Sequence, residues 1–156
     1  MRDDKGVILK AAWGMLRPTR DDKKHAALCA LQLVEALGDR CRVGVAAGWA
    51  FTGLVGAEGM RLGMVMFGAE SVTLAARLMM KANFGSALVS AEVKAATERH
   101  IVYEGEGEPN LVLKGRNRDE PVCRPVKVKI SGGSGGGNNP SSAPASDVDS
   151  GVMLAR

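Results

Sequence analysis

The sequence predicts an α+β (mixed α/β) domain, in which helices pack on a central, mostly antiparallel sheet. Three observations carry that prediction. Short apolar runs bounded by glycine alternate with segments whose apolar residues recur at helical spacing. Between them stand hairpin-like pairs of runs, which a purely parallel sheet would not need. Finally, the glycine-rich polar composition is confined to the last stretch, so residues 1–130 keep enough apolar material to build a core.

The elements follow in order. VILKAAWGM (7–15) comes after an Asp-Lys-Gly turn signal and reads as a strand. LRPTRDD is a loop, and Asp21 or Asp22 can cap the helix behind it. That helix carries Ala27, Ala30, Leu31, Val34 and Leu37 at helical spacing, and Gly38 stops it. CRVGVAAG and WAFTGLVG are two glycine-bounded strands. Their charge-free run, Val43 to Ala57, is too short and too glycine-broken for a membrane span. RLGMVMFG (61–68) is a further strand that runs straight into a helix starting at Ser71. SALVSA predicts a short strand and EVKAATERH a short helix, with IVYEG, NLVLKG and PVCRPVKVKI as terminal strands. Met64, Met66, Met79 and Met80 are expected in the core. The chain opens almost directly into a strand, so the sequence reads as a domain whose first elements are missing.

Residues 131–156 are a different material, rich in Gly, Ser, Pro and Asn and almost without apolar residues until Val152-Met153-Leu154. They read as a disordered tail or a linker. The net charge of +4 is mild. It suits a phosphate-bearing ligand, but scattered basic residues and few aromatics argue against nucleic acid, RNA included. Cys29, Cys41 and Cys123 form no CxxC pair, and MRDDKG is no secretory leader. Both point to a reduced, cytoplasmic setting. With two histidines and no Cys/His cluster, no metal site is expected.

FGAESVTLAARLMMKA (67–82) raises the sharpest question. Most of its helical circumference is apolar, yet Thr73, Arg77 and Lys81 stand at i, i+4 and i+8 and therefore share one face. From the helix alone, base rates favour a solvated or salt-bridged arginine. Thr73 can satisfy its hydroxyl on the preceding turn, and Lys5 reads as an ordinary turn lysine. The glycines speak to tight backbone geometry.

DDKGVILKAAWG, CRVGVAAGWAFTGLVG, VMFGAESVTLAARLM and LVLKG, in this order, resemble the catalytic domains of the class III adenylyl and guanylyl cyclases. The nearest likeness is to the second catalytic half of soluble adenylyl cyclase. The resemblance covers roughly Asp3 to Pro125. It is most specific in the spacing of Gly48, Gly53 and Gly56 and in VTLAARLM, where the family reads VNLAARLM. It implies a ferredoxin-like core and a site shared between two such domains. The reaction implied is attack of a ribose 3′-hydroxyl on the α-phosphate of ATP or GTP, which releases pyrophosphate.

That reaction uses Mg2+ or Mn2+ held by two aspartates. The resemblance gives Arg77 the place of the transition-state arginine, Lys5 that of the base-reading lysine and Val65 that of a base-contacting residue. Thr73 stands where the family has its ribose-binding asparagine. One metal aspartate is replaced by Val7, and the other belongs to a strand this chain lacks. Gly68-Ala69-Glu70 also carries one residue more than the family's Gly-Asp. The implied reading is the non-metal half of a cyclase site, inactive alone. The metal would then come only through a partner, a second cyclase homology domain in a hetero- or homodimer. The alternative is a degenerate domain kept as a regulatory or interaction module.

Overall fold

The computed structural model spans the whole chain. It describes residues 2–3, 6–15, 17–56, 63–67, 70–104, 111–112, 119–129 and 150–155. The elements are β1 (Arg2–Asp3), β2 (Gly6–Val7), β3 (Leu9–Trp13), α1 (Asp22–Leu37), β4 (Arg42–Gly48), β5 (Phe51–Val55), β6 (Gly63–Phe67), α2 (Glu70–Lys81), β7 (Ser86–Ser90), α3 (Ala91–Thr97), β8 (Ile101–Glu104), β9 (Leu111–Val112), β10 (Asp119–Glu120), β11 (Val122–Val128) and β12 (Ser150–Ala155). The main sheet has the order β3-β12-β4-β7-β11-β8. Only β4 and β7 pair in parallel, and every other neighbour is antiparallel. The expected mixed, mostly antiparallel sheet with packed helices is therefore the observed fold.

β4 organises the molecule because both its faces are covered. Val43, Val45 and Ala47 point to one side and join Ala26, Ala27 and Ala30 of α1 and Val93 of α3. Ala46 points to the other side and joins Leu74, Ala75, Leu78 and Met79 of α2. A strand buried on both faces has no polar alternation, which is why Arg42–Gly48 reads as a near-continuous small and apolar run. Small residues serve a second purpose here. A Cβ on Gly44 would run into the Ala75 carbonyl oxygen and the Met79 amide nitrogen, so glycine lets the α2 backbone lie directly on the strand.

The start of α1 differs from the simplest capping expectation. Asp21 occupies the N-cap position but makes no side-chain cap bond. Asp22 instead turns back, and its carboxylate accepts the Thr19 backbone N–H at 2.6 Å and the Thr19 hydroxyl at 2.8 Å. The geometry is that of the acidic arm of a capping box, but closed on Thr19 two residues before the N-cap, with the carboxylate buried. Gly14, at φ +78°, makes room for it, since a Cβ there would lie 2.5 Å from Asp22 Oδ2. At the other end Gly38 takes positive φ and a short 3-10 turn leads into β4. On the sheet's far edge β11 slips register between Pro125 and Lys127, where proline has no N–H to give β8.

Three expectations change. The predicted strand over 7–15 is split, because Gly6–Val7 pairs with Arg2–Asp3 as a small hairpin and the sheet strand begins at Leu9. Met80 is 56% exposed and not in the core, since the helical period that buries Met79 turns its neighbour outward. Residues 150–155, read as part of the tail, form β12 between β3 and β4. The apolar run Val152-Met153-Leu154 is the one part of that stretch with strand chemistry.

Candidate functional site

Helix α2 places the residues of interest. Ser71, Leu74, Ala75, Leu78, Met79 and Ala82 are buried, and their spacing defines the face that sits on β4 and β7. Rotating by the helical 100° per residue puts Thr73, Arg77 and Met80 near the opposite side. Thr73 and Lys81 are exposed and Arg77 is half-buried. Thr73 and Arg77 are thus stacked on the face that looks away from the sheet, one turn apart.

The C-terminal end of α2 is clamped from β4. Arg42 donates from Nη1 to the Met80 carbonyl oxygen at 3.2 Å, and its Nη2 reaches Met80 Sδ at 3.4 Å. Its guanidinium also lies 5.1 Å from the centre of the Phe84 ring. A cation on the last-turn carbonyls also complements the helix dipole. Sequence reasoning missed this residue. The available signal was an arginine opening an otherwise apolar strand, next to a helix whose end needed acceptors satisfied.

The other predicted site residues are placed less completely. Val65 lies in β6, paired with Gly53 of β5. Lys5 lies outside the described residues, as do Gly68 and Ala69 of the one-residue insertion. The structure therefore brings Thr73 and Arg77 together on one helix face, and it places the Val65 backbone in the hairpin that precedes that helix. Among the described residues, no group of three or more His, Cys, Asp or Glu is arranged to hold a metal ion. No helix among them is long and apolar enough to cross a membrane.

A cavity of about 460 Å³ lies elsewhere, lined by residues that include Leu31, Val34, Glu35, Ala87, Arg124 and Lys127. Its lining residues come from α1, the start of β7, the end of β8 and β11, and neither Thr73 nor Arg77 is among them. Burial pushes the Cys41 and Cys123 thiols up. Burial also raises the Tyr103 phenol, against a smaller opposing effect from its 2.6 Å hydrogen bond with the Thr97 hydroxyl.

Solved structures share this fold. The guanylate cyclase domain of RhGC from Catenaria anguillulae, in complex with GTP, matches with a TM-score of 0.59 at 15% identity, over 76% of this chain and 66% of that one. The catalytic core of a rhodopsin-guanylyl cyclase with converted specificity, in complex with ATPalphaS, matches with a TM-score of 0.58 at 15% identity, over 75% and 65%. The adenylyl cyclase CyaB from P. aeruginosa is 25% identical over 59% of this chain and 45% of that one, with a TM-score of 0.49. The chain therefore spans between 45% and 66% of the length of these solved chains. No family model matches the sequence, and no curated protein matches it. The fold seen here is that of the guanylate cyclase domain and of the rhodopsin-guanylyl cyclase catalytic core.

Proposed function

We propose that this chain supplies the non-metal half of a class III nucleotide cyclase site and works with a complementary cyclase homology domain. The observation that carries the reading is the placement of Arg77 and Thr73 on the face of α2 that the core leaves open. The VTLAARLM resemblance and the cyclase fold support it, and so do neighbours solved with GTP and ATPalphaS.

In the proposed site Arg77 places its guanidinium against the charge that builds on the α-phosphate as the ribose 3′-oxygen attacks and pyrophosphate departs. Thr73 offers a hydroxyl to the ribose, Lys5 an ammonium to the base, and Val65 an apolar contact to the base's face. The proposal gives Mg2+ or Mn2+ to aspartates of the partner domain, where the metal would activate the 3′-hydroxyl and neutralise the phosphates. This chain's own residues bind, orient and neutralise.

The test is cyclic nucleotide formation from ATP and from GTP by the chain mixed with a metal-competent cyclase half, with and without Arg77→Ala. Loss of one preorganised cation should lower turnover by about 10²–10³-fold, and the chain alone should give none. Equal rates with Arg77 and with alanine remove Arg77 from the mechanism.

A second reading rests on the departures from the family pattern. Thr73 replaces an asparagine and Val65 a polar base reader, as expected of a degenerate domain kept for regulation or docking. If ATP and GTP with magnesium or manganese fail to raise the melting temperature beside the partner half, that reading replaces the first.

A further inference from the structure

The slot between the edge strand β3 and β4 is filled from an unusual place. β3 and β4 each pair antiparallel with β12, so they run parallel to each other with one strand between them. They are joined through α1, a crossover that passes over the position of that middle strand. β12 is hydrogen-bonded along both edges, with Leu9–Trp13 on one side and Val43–Gly48 on the other. α1 and α2 both pack across it. Without an occupant, β3 would lose its sheet partner, and two rows of backbone donors and acceptors would open beneath two helices.

The occupant reaches this slot by a long route. β11 runs antiparallel to β7, β7 parallel to β4, and β12 antiparallel to β4, so β11 and β12 point the same way. The chain leaving Val128 must therefore travel back to the far end of the sheet before it re-enters at Ser150. Following the registers, that end-to-end separation is about 30 Å, from ~3.3 Å per residue along the strands and ~4.8 Å across three strand spacings. Residues 129–149 can span about 70 Å at full extension, more than twice that separation. The same reach also lets the strand enter a neighbouring molecule.

We propose that the slot between β3 and β4 is a strand-exchange site, whose second occupant is Ser150–Ala155 of another copy of this chain. The identical strand would restore every pairing on both edges in the identical register, so closed monomer and exchanged dimer differ little in contact energy. The balance then rests on effective concentration, which for a tether of this kind is in the millimolar range. The full chain should be monomeric when dilute, and exchange should be forced by a connection too short to return. This exchange is independent of the nucleotide reading, because it uses the sheet interior and not the outward face of α2.

The experiment deletes residues 131–147, which leaves a connection able to span only about 18 Å against the roughly 30 Å required. Light scattering after size exclusion should find the full chain monomeric at micromolar concentration and the deletion variant dimeric. Adding Met153→Pro to the deletion, which removes a ladder hydrogen bond in mid-sheet, should abolish the dimer. A deletion variant that is folded by circular dichroism yet monomeric overturns the proposal, whether its slot stays empty or takes another segment. The full chain gives a second measurement in case the deletion variant does not fold. Concentrated to the millimolar range and then diluted, it should show a dimer fraction that rises in proportion to concentration and is absent in Met153→Pro. A dimer fraction unaffected by Met153→Pro also overturns it.

Discussion

Replacing Gly44 by alanine tests the seating of α2 directly. The added Cβ would fall far inside contact distance of the Ala75 carbonyl oxygen and the Met79 amide nitrogen, and 3.0 Å from Met79 Cα. All three are helix backbone atoms, so no side-chain rotation relieves the clash. Restoring an ordinary separation of ~3.5 Å requires the helix to lift by about 1 Å. Overpacking of this kind costs roughly 1–3 kcal/mol, and a rigid obstacle on both sides puts Gly44→Ala near the top, at about 3 kcal/mol. For a chain of this size each kcal/mol moves the melting temperature by about 2–4 °C, which predicts a fall of roughly 6–12 °C.

The matched control is Gly53→Ala, where an added Cβ meets nothing within 4 Å among the described residues. It should change stability by no more than about 0.5 kcal/mol. The same displacement should reach function, because α2 carries Arg77. A shift of about 1 Å in a group aimed at a reacting centre can cost on the order of 10²-fold in rate. Differential scanning fluorimetry of both variants, followed by the two-component cyclase assay, measures both links. If Gly44→Ala melts within about 1 °C of the parent, α2 does not rest on β4 as described, and the placement of Arg77 fails with it.

Two further outcomes follow from the buried polar groups. Asp22→Ala removes a buried carboxylate that accepts from the N–H and hydroxyl of the exposed Thr19. It should destabilise the fold by about 1–2 kcal/mol in urea titrations, and an unchanged midpoint would make the capping interaction idle. Cys41, Cys123 and Tyr103 are all held neutral to higher pH in the fold by burial. The unfolded chain therefore releases these protons first, so their stabilisation is intact below the ordinary thiol and phenol ranges and is lost as pH rises through the raised values. The urea midpoint should fall between about pH 8 and pH 11, with Tyr103→Phe removing the part of the fall that begins near pH 10. A midpoint independent of pH across that window would contradict the burial.

Much of the fold was legible because the signals were local. α1 announced itself by apolar spacing and by Gly38, and α2 by a buried set that obeys one helical period from Ser71 to Ala82. β4 was legible as a glycine-bounded strand, and the structure adds that both its faces are buried, which accounts for its near-continuous apolar run. The bond from Asp22 back to Thr19 was a local signal passed over, since Thr-x-x-Asp is capping spacing. The rest of what escaped depended on partners distant in sequence, as when Arg42 reaches across to the end of α2. β12 escaped for a related reason. Six residues behind a Gly/Ser-rich stretch carry too little pattern to be read as a strand, and their pairing is set by two edges located over a hundred residues earlier. On the site, Thr73 and Arg77 were legible as a stripe from spacing alone. Which way the stripe faces was not, because that depends on where β4 lies.

The arginine in an apolar helix is resolved by separating two kinds of apolar residue on α2. Leu74, Ala75, Leu78 and Met79 are spent on the core. Met80 is not, and it stands exposed beside Phe84 at 58% exposure, with Arg42 stacked against that ring. The outward side of α2 is therefore a mixed surface, with Thr73 and Arg77 along its length and large apolar groups at its end. Neither a core nor an ordinary solvated face has that composition. Aromatic, methionine and arginine side chains together are what interfaces concentrate. A surface that must both contact another domain and present a cation to a triphosphate would have this make-up. Substituting Met80 and Phe84 by serine separates the two demands. It should weaken assembly with the partner half while leaving turnover at saturating partner unchanged, whereas Arg77→Ala should do the reverse.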